Sequence, residues 1–156
     1  MKLFAFVAAL FLSVPALAFD AGQFEGGGVW KAVDGSKGKW TEVMTVSKDP
    51  AGVVLKSELT VTYADGTDEV MTTESTFARN GDAGFFTITT PDGVGDGEGY
   101  CFKKKKGKVC HMSGEGPDGR WEETMIVKKG VIKKIGSHKN IVAWKGKLKW
   151  AAAAAE

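Results

Sequence analysis

The sequence predicts an all-β fold, an antiparallel up-and-down meander of about eight to ten strands that forms a closed or nearly closed barrel. Turn-forming residues recur about every eight to twelve positions, and short stretches rich in Val, Ile, Thr, Phe and Trp lie between them. After residue 18, no segment of ordinary helix length repeats its apolar residues at the helical period. Closure is expected because it leaves no edge strand exposed.

The turn residues divide the chain into about ten predicted strands. In order, the turn signals are Asp34-Gly35, Asp49-Pro50, Asp65-Gly66, Asn80-Gly81, Asp92-Gly93, Lys106-Gly107, Asp118-Gly119, Lys129-Gly130 and 138–140. The predicted strands are 26–33, 39–47, 53–63, 69–78, 84–90, 97–103, 108–113, 120–128, 131–137 and 140–149. The large number of glycines, 21 in 156 residues, is expected to serve these turns.

Alternation within the strands predicts that only one face of each is buried. In the third strand, one face is apolar and carries Val53, Leu55, Leu59, Val61 and Tyr63. The other face carries the polar set Lys56, Glu58, Thr60 and Thr62. Antiparallel sheets commonly bury one face in this way, so the apolar faces are expected to line the inside of the barrel.

Two segments that begin 81 residues apart, 38–48 and 119–129, have similar sequences. In each, a glutamate shares its strand face with a tryptophan and a methionine: Trp40, Glu42 and Met44 in the first segment, Trp121, Glu123 and Met125 in the second. A buried carboxylate is costly unless it is paired or hydrogen-bonded. The two glutamates are therefore predicted either to meet a Lys or Arg across the interior or to line a wet cavity.

The first 18 residues have the pattern of a secretory signal peptide. Lys2 gives a positive start, residues 3–14 are almost entirely apolar, and 15–18 supply a cleavage site with small residues. The apolar run is shorter than the roughly 20 residues of a spanning helix. We expect cleavage after Ala18, a single β-barrel domain over 19–150 and an Ala-rich tail over 151–156. The expected location is bacterial, either periplasmic or secreted, with no transmembrane segment in the mature chain.

The two cysteines are predicted to form a disulfide. They lie in a lysine-rich hairpin, and pairing Phe102 with Val109 places Cys101 opposite Cys110. An exported protein meets an oxidising compartment, where such a bridge forms. The spacing is not that of a Cys-x-x-Cys redox pair, and two ligands do not make a structural zinc site. Tyr100 and His111 share the face opposite the disulfide.

Gly28-Val29-Trp30, at the start of the first predicted strand, resembles the G-x-W element that opens lipocalin-type barrels. The resemblance implies a calycin-like barrel with a central site for a small, usually apolar ligand. It also implies that Trp30 closes one barrel end against a basic side chain of the last strand. Lys145, Lys147 or Lys149 is the expected counterpart.

The first functional hypothesis is an exported, non-enzymatic barrel that binds a small apolar or amphipathic, lipid-like ligand in its interior. The candidate interior residues are Trp40, Glu42, Met44, Tyr100, His111, Trp121, Glu123 and Met125. No recognisable catalytic motif occurs, so no enzymatic activity is expected, and no cofactor is predicted. Copper binding by His111 is disfavoured, because its neighbour Cys110 points to the opposite face and is expected to be bridged. Haem ligation by His111 is given the same low weight.

Charge supports a second hypothesis. The chain has a net charge of +2, but residues 19–100 carry 6 basic and 14 acidic side chains, and 101–156 carry 14 and 5. One side of the barrel is therefore expected to be acidic and the other basic. The densest positive patch is Lys103, Lys104, Lys105, Lys106 and Lys108.

This patch suits an anionic envelope component or an acidic protein, whereas near neutrality disfavours nucleic acid. The alternative function is therefore an envelope-associated interaction or inhibitor protein with a solid core. A third interpretation of the same lysines is that they are solvated turn residues that blunt a sheet edge. A roomy interior favours the ligand-binding hypothesis, and an interior filled by Trp30, Trp40 and Trp121 favours the interaction protein.

An acidic, glycine-rich stretch over 92–99 offers a weak calcium candidate. Asp92, Asp96 and Glu98 supply the oxygen ligands that calcium prefers. The spacing does not fit an EF-hand loop, because Val94 and Lys103 occupy positions that need ligands. The alternative is a flexible loop whose carboxylates help solubility, and no metal site is predicted.

Overall fold

The computed structural model describes residues 19–48, 50–78, 83–105, 107–117, 119–138 and 142–152. These form ten strands: β1 (Gly22–Ala32), β2 (Lys37–Lys48), β3 (Gly52–Thr62), β4 (Asp68–Ala78), β5 (Gly84–Thr90), β6 (Gly93–Lys104), β7 (Gly107–Gly116), β8 (Gly119–Lys128), β9 (Val131–His138) and β10 (Val142–Ala152). Each strand pairs antiparallel with its sequence neighbours, and β1 pairs with β10 to close the barrel. The predicted all-β meander is confirmed, in its closed form.

Two strands begin four residues earlier than predicted, each at a glycine. β1 begins at Gly22 rather than 26, and β6 begins at Gly93 rather than 97. Glycine is depleted from strands in general, so both stretches resembled loops in sequence. In the barrel, Gly22 lies against the side chain of Trp150.

β10 continues to Ala152, where it pairs with Gln23 of β1. The strand thus takes in the first two residues of the predicted Ala-rich tail. The rest of that tail, 153–156, and the predicted signal peptide, 1–18, lie outside the described residues. The described part of the chain has no helix of the length and apolarity needed to cross a bilayer.

Two turns use the same local chemistry. Asp34 accepts hydrogen bonds from the backbone N–H and the hydroxyl of Ser36, at 2.8 and 2.7 Å. Asp65 accepts the equivalent bonds from Thr67, at 2.9 and 2.7 Å. These bonds favour the ionised carboxylates and lower the pKa of both aspartates. The glycine between each pair has a positive φ, which explains the Asp-Gly turn signal in the sequence.

The inside of the barrel is filled by large side chains from every part of the chain. Phe24, Leu55, Phe77, Ile132 and Leu148 are each at most 2% exposed. Phe19, the first described residue, is fully buried, and its ring stacks on Phe77 at 6.4 Å between centroids. The chain therefore enters the core three residues before β1 begins.

Candidate functional site

The middle of the barrel holds a buried ion cluster of Glu42, Lys134 and Glu123, which we call the inner triad. Lys134 Nζ donates hydrogen bonds to both carboxylate oxygens of Glu42, each at 3.0 Å. It also lies 3.2 Å from Glu123 Oε1, an ion pair outside hydrogen-bond geometry. All three side chains are less than 10% exposed. Of the two alternatives for the glutamates, a cation across the interior is confirmed.

Trp144 of β10 completes this cluster by donating its indole N–H to Glu123 Oε2 at 3.0 Å. Burial raises the pKa of Glu123, and the charge of Glu42 raises it further, whereas Lys134 and the Trp144 hydrogen bond oppose the rise. Burial alone lowers the pKa of Lys134, but the charges of Glu123 and Glu42 outweigh it, so that pKa is raised. The ammonium therefore stays charged between two carboxylates.

Lys134 is the member of the inner triad that the sequence did not identify. In β9, Val131, Lys133 and Ile135 alternate with Ile132, Lys134 and Gly136, so each face carries one lysine and at least one apolar residue. Alternation could not decide which face is buried. The only signal in the sequence was that two inward carboxylates need a cation nearby. This signal predicts that a Lys or Arg is buried beside them, but not which one.

Four tryptophans pack against inward glycines of an adjacent strand or of the strand beyond it. A Cβ atom on Gly38, Gly97, Gly136 or Gly146 would overlap the ring of Trp30, Trp121, Trp144 or Trp40, respectively. Each ring occupies the space that a neighbouring side chain would otherwise fill. Trp30, Trp40 and Trp121 are 7, 4 and 7% exposed, so the rings fill the interior.

Some buried polar atoms near these rings have no hydrogen-bond partner within the described residues. They include the indole nitrogens of Trp40 and Trp121. Buried donors are usually paired, so these two N–H groups, like the buried Ser57 hydroxyl, have spare capacity to bind a small polar guest.

The interior candidates divide into two groups. Trp40, Glu42, Met44, Trp121, Glu123 and Met125 lie inside the barrel and are at most 8% exposed. The prediction was wrong for Tyr100 and His111, which lie on the outer face, Tyr100 being 52% exposed. Alternation correctly separated the two faces of the hairpin but did not show which one is inside.

The disulfide lies on the inner face of the hairpin. Cys101 and Cys110 are paired in register, as predicted, and are 7 and 0% exposed. The inward positions of β6 before Cys101 are all glycines, whose small size leaves room for Trp121 and for Met112 beside Gly99. Large residues therefore had to lie outside on this strand, contrary to the usual association of aromatic residues with a core.

On the outer face, three rings form a cluster. The centroids of Tyr100, Phe102 and His111 lie 5.6 to 6.2 Å apart. His111 Nδ1 is 2.9 Å from Thr124 Oγ1. An open groove of about 610 Å³ borders the cluster, and a second of about 720 Å³ lies over the outer faces of β2–β5. Both grooves are surface features outside the barrel wall.

The lysine patch is only partly exposed. Lys103, Lys104 and Lys105, which we call the hairpin lysines, are exposed, and Lys104 Nζ lies 5.7 Å from the Phe102 ring centroid. Lys106 lies outside the described residues. Lys108 is 7% exposed, contrary to its placement in the patch, because it takes an inward position at the start of β7. Burial, with a smaller contribution from the charge of Lys103, lowers the pKa of Lys108.

The three calcium candidates, Asp92, Asp96 and Glu98, do not form a cluster within the described residues. Asp92 lies in the β5–β6 turn, whereas Asp96 and Glu98 lie on β6, so the stretch is strand rather than a flexible loop. Asp96 accepts a hydrogen bond from the Thr87 hydroxyl at 3.1 Å. Among the described residues, no three His, Cys, Asp or Glu side chains are grouped to hold a metal ion. The calcium interpretation requires such a group.

The G-x-W expectation is correct for the tryptophan and wrong for its basic partner. Trp30 is buried near one barrel end and donates its indole N–H to the carbonyl oxygen of Thr62 at 3.2 Å. Its cross-strand neighbours are Gly38 and Trp144. The proposed counterparts Lys145, Lys147 and Lys149 are all exposed, because the inward positions of β10 alternate with them.

Comparison with family models, curated proteins and solved structures finds no match to this chain. The coarse description as a closed, calycin-like ten-strand barrel therefore rests on the strand topology. A disulfide is typical of proteins in oxidising compartments rather than the reducing cytosol.

Proposed function

We propose that this protein is an exported, non-enzymatic interaction module that binds an anionic component of the bacterial envelope through the hairpin lysines. The proposal rests on the absence of a neighbouring negative charge: within the described residues, no carboxylate forms a salt bridge with Lys103, Lys104 or Lys105. Like charges held close together cost stability unless a partner of opposite charge relieves the repulsion. The signal-peptide pattern and the disulfide support a periplasmic or secreted location.

The packing of the interior favours this proposal over ligand binding inside the barrel. The three tryptophans that would have to leave room for a ligand are nearly fully buried, and the core side chains around them are equally inaccessible. The inner triad satisfies its own charges, because Lys134 contacts both carboxylates. Two carboxylates that face one cavity can also act as the catalytic pair of a glycosidase, but Glu42 and Glu123 hold a lysine between them instead of a substrate, which disfavours that role.

A second candidate function keeps the interior as a site for a small amphipathic ligand. It is favoured by the unpartnered indole N–H groups of Trp40 and Trp121. Native mass spectrometry of protein purified from its own host tests it, because a retained ligand adds its mass to the chain. Only the bare chain mass would count against this candidate.

Charge reversal tests the main proposal. Lys103→Glu, Lys104→Glu and Lys105→Glu in one variant are expected to abolish retention of anionic envelope extract by the immobilised protein. The matched control reverses three exposed lysines far from the hairpin: Lys31, Lys37 and Lys39. Wild-type retention should fall as salt is raised, because salt screens exposed charges. Equal retention by the hairpin variant and the wild type would refute the proposal.

A further inference from the structure

The charges of this barrel are sorted along its axis as well as between its sequence halves. In an up-and-down barrel, alternate turns lie at opposite ends. The β2–β3, β4–β5, β6–β7 and β8–β9 turns share one end with the start of β1 and the end of β10. The remaining turns lie at the other end. Each end comprises the turns and the two strand residues that flank them.

The first of these ends is strongly positive, and we call it the basic end. Among its described residues there are seven lysines and one carboxylate, Asp20. The lysines are Lys48, Lys103, Lys104, Lys105, Lys108, Lys128 and Lys129. All of them except Lys108 are exposed. They come from three different turns, so the positive charge extends around the rim beyond the hairpin.

The opposite end, the acidic end, has the reverse balance. Its described residues include six carboxylates and three basic side chains. The carboxylates are Asp34, Asp65, Asp68, Glu69, Asp92 and Glu115; the basic residues are Lys31, Lys37 and Arg120. The barrel is thus polarised along its axis, and an anionic surface would attract one end while it repels the other.

Exposed aromatic side chains lie next to the basic end, one residue further into their strands. Trp150 is 47% exposed, and its backbone N–H donates to the carbonyl oxygen of Gly130 in the β8–β9 turn at 2.9 Å. Phe102, one residue before the hairpin lysines, is 38% exposed. Tryptophan and other aromatic rings are favoured where an apolar layer meets water and charged groups.

We propose that the basic end docks end-on to an anionic lipid bilayer. This deepens the proposed function, on which it rests, by naming the anionic component as a lipid surface. Charges spread over several turns of a rim match a broad, flat surface better than a compact ligand, which would need convergent groups. The two aromatic side chains supply apolar contact that a hydrophilic polyanion would not use.

Vesicle binding tests this geometry with lysines outside the hairpin. Lys48→Gln, Lys128→Gln and Lys129→Gln form one variant, and Lys31→Gln, Lys37→Gln and Lys39→Gln form its control near the acidic end. The probes are vesicles of phosphatidylglycerol with phosphatidylcholine, and of phosphatidylcholine alone, in a sedimentation assay. Each basic-end lysine is expected to contribute about fivefold to the partition coefficient, so the first variant should bind about 100-fold more weakly. The control should lose less than about fivefold, the effect of one lysine.

Two outcomes separate this proposal from the function on which it rests. If the hairpin variant loses binding but the Lys48, Lys128 and Lys129 variant does not, the hairpin acts alone and end-on docking is wrong. If soluble polyphosphate binds as well as the anionic vesicles and competes with them, the partner is a polyanion and the lipid assignment is wrong. If neither variant loses binding to envelope material, the proposed function itself fails.

Fluorescence provides an independent readout of the docked end. Trp150 is the most exposed tryptophan of the chain, so its emission is expected to shift to shorter wavelength on anionic vesicles. Trp150→Phe should remove the shift and preserve most of the lysine-dependent binding. An unchanged shift in this variant, or no shift in the wild type, would contradict end-on docking.

Discussion

The inner triad and the hairpin lysines are two clusters of charge that the protein treats in opposite ways. Lys134 is buried and contacts two carboxylates within 3.2 Å. Lys103, Lys104 and Lys105 are exposed and, in the described structure, have no acidic partner. The interior charges are therefore neutralised by one another within the fold, whereas the hairpin charges remain available for a partner.

The largest expected effect comes from breaking the interior cluster. Lys134→Met leaves two buried carboxylates without a cation, so the free energy of unfolding should fall by about 3–5 kcal/mol. Urea denaturation measures this loss. Lys133→Met is the matched control, because Lys133 is the exposed neighbour on the same strand.

A compensated variant keeps this prediction testable if Lys134→Met does not fold. Glu42→Met, Lys134→Met and Glu123→Gln together remove every charge and keep an acceptor for the Trp144 N–H. Buried ion clusters can be replaced by neutral groups at little cost, so this variant should recover most of the stability. A triple variant less stable than Lys134→Met would show that the triad has a different role.

The disulfide crosslinks β6 and β7, the two strands of the hairpin that carries the exposed lysines, and it is buried on their inner face. Replacing Cys101 and Cys110 together with alanine should lower the free energy of unfolding by about 2.5–3 kcal/mol, as chain entropy predicts for a loop of about ten residues. Denaturation of the oxidised wild type and the variant measures the loss. A thiol assay that finds free thiols in the native protein would refute the bridge.

The tryptophan–glycine packing around the triad is expected to have a smaller effect. Gly136→Ala places a methyl group in the Trp144 ring, whose N–H holds Glu123, and should cost about 1–3 kcal/mol. Gly116→Ala is the control, because the nearest atoms to its Cβ lie at 3.8 Å, an ordinary contact. Equal stability of the two variants, measured by thermal unfolding, would show that the interior is looser than described.

The smallest expected effect is a pH dependence of the free energy of unfolding that arises from Glu123 in the interior. Because burial raises the pKa of Glu123 above 4.5, the folded protein holds a proton there that the unfolded chain releases. Stability should therefore fall as pH rises from about 4.5 through the raised pKa, and Glu123→Gln should abolish that part of the slope. Urea denaturation across this range measures it. A like change in Glu122→Gln, an exposed carboxylate on the same strand, would contradict the assignment.

Much of this fold could be predicted from sequence because turns and alternation are local. The Asp34-Gly35 and Asp65-Gly66 signals correspond to turns with matching hydrogen bonds, and the pairing of Cys101 with Cys110 followed from the register of one hairpin. Which face of a strand lies inside the barrel depends on how that strand packs against strands far away in the sequence. Tyr100 and His111 were therefore placed inside, although the glycines of β6 and the rings opposite them put the disulfide there.

The candidate site was harder to predict because its members are far apart in sequence. Lys134 and Glu42 are 92 residues apart, and only closure of the barrel brings them together. The axial sorting of charge was missed for a related reason. Charge counts over the two halves of the sequence follow the order of the chain, but the up-and-down path places alternate turns at opposite ends of the barrel.

Thermal unfolding in the presence of anionic envelope material tests the central claim most directly, because it reports folding and binding together. A partner that binds only the folded state raises the unfolding temperature. The unfolding temperature should rise for the wild type and for the Lys31, Lys37 and Lys39 control. In one variant, Lys103→Gln, Lys104→Gln and Lys105→Gln should bring this rise close to zero, and the unfolding temperature without partner should equal or exceed that of the wild type. An equal rise in the hairpin variant, or a destabilised hairpin variant, would contradict binding through the hairpin lysines.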